Sequence, residues 1–281
     1  MTTPKKSAST VQKVEQEAGS NPISKIFAGL AILVALAAGY LIYIYILGSP
    51  SNFEGGDAYA GHPKNILGTI HKGGIAIVPI LIALNILVIL ISIERFITLS
   101  KSSGKSSAAG FIKNIRTLLG SNKIDDAMKA CDKQQGSLAN VVKTGLGRYA
   151  TLNSDNAMDK DAKVKALEKE LEEATSLELP MMSKNMSILS TCASVGTLVG
   201  LIGTVFGMIK AFSALANAGA PDTAALAIGI SEALINTALG IICSAISIIA
   251  YNYFTNKIDA MTYSMDEAGY SIVGQFQSQK S

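Results

Sequence analysis

Tryptophan is absent from the 281 residues, aromatic side chains reach only 6% and charged ones only 16%. A soluble domain ordinarily carries about 25% charged residues, so a soluble enzyme is a poor reading from the start. Cysteine is scarce as well. Cys131, Cys192 and Cys243 lie far apart, with no CxxC pair, no metal-ligand spacing and no disulfide framework. His62 and His71 are the only histidines, which leaves little for metal or nucleophilic chemistry. No metal and no cofactor is expected. Both histidines are most simply loop residues, a pH-sensing role being the alternative. A formal net charge of +3 falls short of the strongly basic face of a nucleic-acid binder. What the chain has in excess is apolar surface: 49% hydrophobic residues and a mean hydropathy of +0.35.

That excess is concentrated in four runs, each near the length of about 20 residues that a membrane-spanning helix needs. The first, residues 26–47, carries no charge and ends with Tyr40, Tyr43 and Tyr45 at an aromatic interface position. Its core exceeds a signal-peptide apolar region and IYILGSPSN lacks an A-x-A-like cleavage site, so it is expected to be retained. The second covers residues 75–93, follows His71-Lys72-Gly73-Gly74, stops at Glu94-Arg95, and contains Pro79 and Asn85. The third spans residues 188–212 and the fourth about 225–251. Between these two, Asn217 to Asp222 reads as a short turn, which makes an antiparallel hairpin. The fold class is therefore all-α: a polytopic membrane bundle of four transmembrane helices with a helical insert.

Basic residues set the expected orientation. Lys5, Lys6, Lys13 and Lys25 precede the first run, and fifteen Lys and Arg lie between Arg95 and Lys184. The other loops offer only Lys64 and Lys72 in one and none in the other. Both termini and the insert should be cytoplasmic. The chain divides into a disordered cytoplasmic tail (1–25), an extra transmembrane helix (26–47), a periplasmic loop (48–72), a channel domain (73–258, with the insert at about 94–184) and a cytoplasmic C-terminal tail (259–281).

Within the insert, Phe111, Ile112, Ile115, Leu118 and Leu119 follow a helical period, as do Ile124, Ala127, Met128 and Cys131. After a break at Asn153–Asp155, residues 161–179 form a charged helix in which Lys165 and Lys169 face Glu168, Glu172 and Glu173. These charges read as a solvated face, a protein-docking surface being the alternative. Pro180 should kink this helix.

Polar residues inside the last two runs carry the functional signal. Ser183, Ser187, Ser190, Ser194, Thr197 and Thr204 step by 4, 3, 4, 3 and 7, which keeps them within a sector of about 100°. Any single hydroxyl would simply bond its own helix or a neighbour. Six on one stripe point to a packed or wet interior. Gly196, Gly200, Gly203 and Gly207 form a smooth strip beside them, where another helix can approach closely. On the fourth run, Cys243, Asn236, Ser247, Gly240, Tyr251, Ser244 and Thr237 share a side with Glu232, opposite Leu234, Ile235, Ala238, Ile241, Ile242, Ala245, Ile248 and Ile249. Glu232 sits roughly 10 Å along the axis from the start of its run. A carboxylate at that depth costs a few kcal/mol and marks a functional candidate. The alternative is a neutralised acid or one paired with Lys210, the only other charge near that depth; the hydroxyl seam supplies no base, which favours function. Hydroxyls, an amide and one titratable acid suit a path for protons or small cations. GLIGTVFG lacks the Lys-Ser/Thr of a phosphate-binding loop, so energy would come from an ion gradient or a partner.

From about Lys72 to Tyr253 these residues resemble the ExbB/TolQ branch of the MotA/TolQ/ExbB proton-channel family, most closely ExbB. GGIAIVPILIALNILVILISIERFITL is similar to that family's first conserved helix with its Ile-Glu-Arg ending at Ile93-Glu94-Arg95. IDDAMKACDKQQGSLANVVKTGL resembles its short cytoplasmic helical region. VGTLVGLIGTVFGMIKAF and ISEALINTALGIICSAISIIAYNYF are similar to its two last-helix motifs. The resemblance implies that Thr204 and Thr237 are pore threonines and Glu232 the membrane glutamate. With them, Thr197, Asn236, Ser194 and Ser244 make up the candidate ion pathway. It further implies a homopentamer whose pore holds a dimer of a single-span ExbD- or TolR-type partner that supplies an essential Asp. Proton flow would then do work on a TonB- or TolA-type envelope protein, energising outer-membrane uptake, in the inner membrane of a Gram-negative bacterium. Thr197 and Ser247 stand where the family often has Pro, and the first helix has no counterpart in the three-helix members; four-helix MotA-type stators have one. The rival readings are a non-conducting scaffold, a TolQ- or MotA-like stator for envelope integrity or motility, and a solute carrier, the last disfavoured by the lack of an inverted repeat.

Overall fold

The computed structural model describes residues 22–58, 61–154, 157–216 and 223–278. Among them there is no β-strand, only an isolated bridge between Phe53 and Pro63. The helices are α1 (Pro22–Leu41, continuing as a π-helix over Ile42–Leu47), α2 (Ile66–His71), α3 (Val78–Ser102), α4 (Ala108–Gly120), α5 (Ile124–Gln134), α6 (Gly136–Ser154), α7 (Lys160–Ser183), α8 (Met186–Ala216) and α9 (Thr223–Ser278). Four of them are long and apolar enough to cross a membrane, over Gly29–Leu47, Val78–Ser102, Met186–Leu215 and within Thr223–Ser278. The fold class is the expected one, a helical bundle of a multi-pass membrane protein. Of the expected tail, residues 1–25, residues 1–21 lie outside the described residues and 22–25 belong to α1; the expected turn, 217–222, also lies outside them.

The helix boundaries depart from the sequence reading in instructive ways. α3 starts at Val78 rather than Ile75, which places Pro79 at its second position, where a missing N–H breaks no helical bond. Asn85 Nδ2 donates to Leu81 O at 2.8 Å, so its amide is satisfied within its own helix. α3 also runs past Glu94-Arg95 to Ser102, shortening the insert. Pro180 does not end α7, which continues to Ser183; the interruption comes at Lys184–Asn185, where Asn185 takes φ +62. α9 extends far beyond Tyr251. Phe254, Ile258, Met265, Ala268, Ile272, Val273 and Phe276 are buried at helical spacing, so burial of an apolar stripe carries the helix on as far as Ser278.

The chain forms two compact units. One comprises residues up to Leu90 with Cys192–Ala245; the other comprises Ile91–Thr191 with the chain from Ile246 onward. In the second unit, Phe111, Ile112, Ile115 and Leu119 of α4, Ala127 and Cys131 of α5, and Val164, Leu167, Leu171 and Ala174 of α7 are buried, matching the apolar period. Tyr149 meets Phe276 edge-on at 5.0 Å. Burial pushes the Cys131 thiol up to about 12, which makes it an inert core residue. Lys169 and Glu173 pair at 3.6 Å on an exposed face, worth little in water.

In the first unit the segment after α1 is folded tightly. Asn52 Nδ2 donates to Ile46 O and Leu47 O at 2.7 and 3.0 Å, Asn65 Nδ2 donates to Asn52 Oδ1 at 2.9 Å, and Asn65 Oδ1 caps α2 by accepting from Gly68 N at 2.9 Å. Of the three tyrosines, Tyr43 turns inward while Tyr40 and Tyr45 are exposed. His71 is a correction: it ends α2 and is 5% exposed, stacked on Tyr43 at 4.5 Å and edge-on to Phe53 at 5.3 Å. Burial, reinforced by the neighbouring Lys72 charge, pulls its pKa below the usual histidine value.

Candidate functional site

Glycine decides how α8 and α9 meet in the first unit. Gly196, Gly200, Gly203 and Gly207 are all buried. A Cβ at Gly200 would lie 2.9 Å from Asn236 O and 3.2 Å from Gly240 Cα; one at Gly207 would lie 2.7 Å from Ala233 N and 2.8 Å from Gly229 O. The two backbones therefore touch along an antiparallel seam, as small residues permit in lipid.

That close approach buries the polar side of α9. Glu232 is 7% exposed and Asn236 1%, and Cys243, Ser244 and Ser247 are buried with them, while Leu234, Ile241, Ile242, Ile248 and Ile249 are exposed. The helix is polar inward and apolar outward, the arrangement lipid favours. Lys210 Nζ of α8 donates to Glu232 Oε2 at 2.8 Å. Asn236 Nδ2 donates to Gly73 O at 2.9 Å. Thr197 and Ser244 share a hydrogen bond of 2.7 Å. Asn236 Oδ1 and Thr237 Oγ1 are buried without a hydrogen-bond partner among the described residues; each oxygen can accept one more bond.

The candidate pathway residues thus divide. Glu232 and Asn236 meet at one place, Thr197 and Ser244 at another, and half-buried Thr237 lies against Gly200. Ser194 is exposed, and half-buried Thr204 donates to Leu201 O at 2.6 Å beside the outward-facing Val205 and Met208. Of the hydroxyl stripe, Ser183, Ser187, Ser190, Ser194 and Thr197 are exposed in this chain. A 3.5-residue period marks a face that something covers, and the glycine strip beside it occupied the interior because it allows closer backbone contact. For Glu232 the pairing with Lys210, given above as the alternative, is present. The register that sets Gly200 against Gly240 and Gly207 against Ala233 also brings Lys210 to Glu232.

Two groups were named from the sequence only as a flank or a motif ending, with no role given. The first is the turn Gly73-Gly74, against which Glu232 and Asn236 both pack; glycine pairs are too common to signal such a role alone. The second, in the other unit, surrounds Arg95, which is 1% exposed. Its Nη1 donates to Met182 O at 3.1 Å and its Nε to Glu94 Oε2 at 2.6 Å, while Nη2 pairs with Glu94 Oε1. Thr98 Oγ1 donates to Glu94 Oε1 at 3.1 Å and Asn185 Nδ2 to Glu94 Oε2 at 3.4 Å. Arg95 thereby caps a terminal carbonyl of α7 where the chain breaks before α8. Among the described residues no cluster of three or more His, Cys, Asp or Glu could hold a metal ion.

A carboxylate, an amide and hydroxyls enclosed by glycine-packed helices with apolar backs define a multi-pass membrane protein whose polar chemistry lies inside its helical hairpin. The MotA/TolQ/ExbB proton channel family matches over residues 133–267. The Biopolymer transport protein ExbB of Aquifex aeolicus is 33% identical over 114 residues, covering 41% of this chain and 69% of that protein. The Tol-Pal system protein TolQ of Pseudomonas aeruginosa is 31% identical over 121 residues, 43% of this chain and 52% of the relative. The Biopolymer transport protein ExbB of Pseudomonas putida is 33% identical over 92 residues, 33% of this chain and 28% of the relative. The chain belongs to the MotA/TolQ/ExbB proton channel family, in its ExbB/TolQ branch. It spans about half the length of the TolQ relatives it matches, at 52% and 51%.

Proposed function

We propose that this chain is a non-enzymatic inner-membrane channel subunit that passes protons down their gradient. With a dimer of an ExbD/TolR-type single-span partner in the pore of a homopentamer, it converts the proton-motive force into work on a TonB- or TolA-type envelope protein, energising outer-membrane uptake. Both termini and the insert are cytoplasmic in this reading.

One observation carries it. Glu232 is a buried carboxylate inside a spanning helix, one turn from a buried amide, and a group so placed is expensive unless it is used. Lys210, the cation that holds it, has a largely exposed side chain. A proton arriving on the carboxyl removes the charge that retains the ammonium, so loading and release of Lys210 are coupled. The exposed hydroxyl stripe of α8 supports the same reading, since a face of Ser and Thr left outward by one chain can be covered by a neighbouring subunit or line water between subunits. Glu232→Ala combined with Thr204→Val is expected to abolish partner-dependent energised uptake while the complex still assembles.

The bond from Lys210 to Glu232 also favours a second reading, a scaffold that assembles a partner and conducts nothing, with the ion pair as a structural fastening. Normal energised uptake by the Glu232→Ala, Thr204→Val variant would establish the scaffold.

A further inference from the structure

Glu232 and Asn236 lie one helical turn apart and project to the same side of α9. Both end on the same two residues. Asn236 Nδ2 is tied to Gly73 O at 2.9 Å, and Glu232 Oε1 lies where it would stand 2.5 Å from any Cβ added to Gly74. Gly74 has φ +99, a conformation that suits glycine, and a Cβ at Gly73 would meet Val78 Cγ2 at 2.6 Å and Asn236 Oδ1 at 3.1 Å. Gly74 N donates to His71 O at 3.2 Å, and the His71 ring stacks on Tyr43. One carboxylate oxygen is therefore directed to the turn and the other to Lys210.

We propose that the Gly73-Gly74 turn is a positioning element for the membrane carboxylate: its missing side chains make the seat for Glu232, and the Asn236 tether keeps that seat in place. The proposal rests on the reading of Glu232 as the working acid and deepens it. Any side chain at position 74 would meet Glu232 Oε1 and drive the carboxyl out of its seat toward the exposed lysine. Shortening Glu to Asp withdraws the carboxyl by about 1.5 Å, one carbon–carbon bond, and makes room for that side chain.

The test is the rate at which dicyclohexylcarbodiimide, which modifies protonated carboxyl groups in apolar surroundings, labels residue 232. The full chain is used in native membranes at one fixed pH, and labelling is read by mass spectrometry. Four proteins form a cycle: the parent, Gly74→Ala, Glu232→Asp and the double variant. Gly74→Ala should slow labelling about tenfold, and Glu232→Asp in that background should restore the rate, giving a coupling of about tenfold. Backbone strain at position 74 is common to both arms and cancels in the cycle. Additive effects, or a rate that Gly74→Ala leaves unchanged, overturn the proposal. If Gly74→Ala fails to reach the membrane, Asn236→Leu replaces it: loss of the tether should slow labelling of Glu232 by about threefold or more, and an unchanged rate overturns the proposal. Labelling requires no transport. Failure of the transducer reading, seen as normal uptake without Glu232, is therefore told apart from failure of the seat.

Discussion

Lys210 Nζ donates to Glu232 Oε2 at 2.8 Å, yet the lysine side chain is 68% exposed and the glutamate side chain 9%. The pair is lopsided: a buried acid is held by a cation that reaches in from the surface. Exposure of one partner screens the attraction, so the bond is weaker than a fully enclosed ion pair.

Lys210→Met should lower stability by about 1 kcal/mol, discounted for that exposure, which for a chain of this size is a fall of about 2–4 °C in the unfolding midpoint. Lys210→Arg should leave the midpoint near the parent. A thermal melt of the purified protein in detergent checks both, and a Met variant as stable as the parent would mean that the pair contributes nothing to the fold.

Gly200→Leu should separate α8 from α9, because its side chain meets the backbone at Asn236 and Gly240 rather than a flexible neighbour. Overpacking of this kind costs about 1–3 kcal/mol. Cys192 and Cys243, both buried in this unit, report the separation: they should react with a thiol reagent faster in the variant than in the parent. Equal rates would count against the glycine seam.

Arg95→Ala should be the most damaging of these changes, since it takes the countercharge from the Glu94 carboxylate and the side-chain donor from Met182 O. Breaking a buried pair costs about 3–5 kcal/mol. Arg95→Lys should recover only part of it, because an ammonium cannot reproduce the forked guanidinium contacts. Comparison of expression level and melting midpoint for the two variants is the check.

His71 makes the fold of residues 48–71 sensitive to acid. Its pKa is depressed in the folded chain by burial first and by Lys72 second. The stability it contributes is therefore present above the unfolded value of about 6.5 and is lost as pH falls through the lower folded value. Proteolysis of this segment should quicken as the pH drops below about 6. His71→Phe should keep the stack on Tyr43 and flatten that pH dependence. A variant with the parent's pH profile would assign the sensitivity to another group.

The same residues separate what was legible in the sequence from what was not. The four apolar runs and the periodic burial of Phe111, Ile115, Ala127 and Cys131 were readable because water and lipid sort side chains by a rule that acts on each helix alone. The long continuation of α9 was missed because Tyr251-Asn252 looked like an end, whereas burial of Phe254 and Ile258 continued the helix. Glu232 stood out by its depth in an apolar run, and Asn236 by sharing its side.

The sequence by itself determined the helices, their apolar backs and the carboxylate placed among them, since each follows from local composition and a 3.6-residue period. Tertiary structure alone decided what that carboxylate touches. The glycine register between α8 and α9 brought Lys210 to Glu232, turned the hydroxyl stripe outward and set Gly73-Gly74 beneath Asn236. Contacts between residues 22 or 163 positions apart depend on how closely two backbones can approach, and no local pattern records that distance.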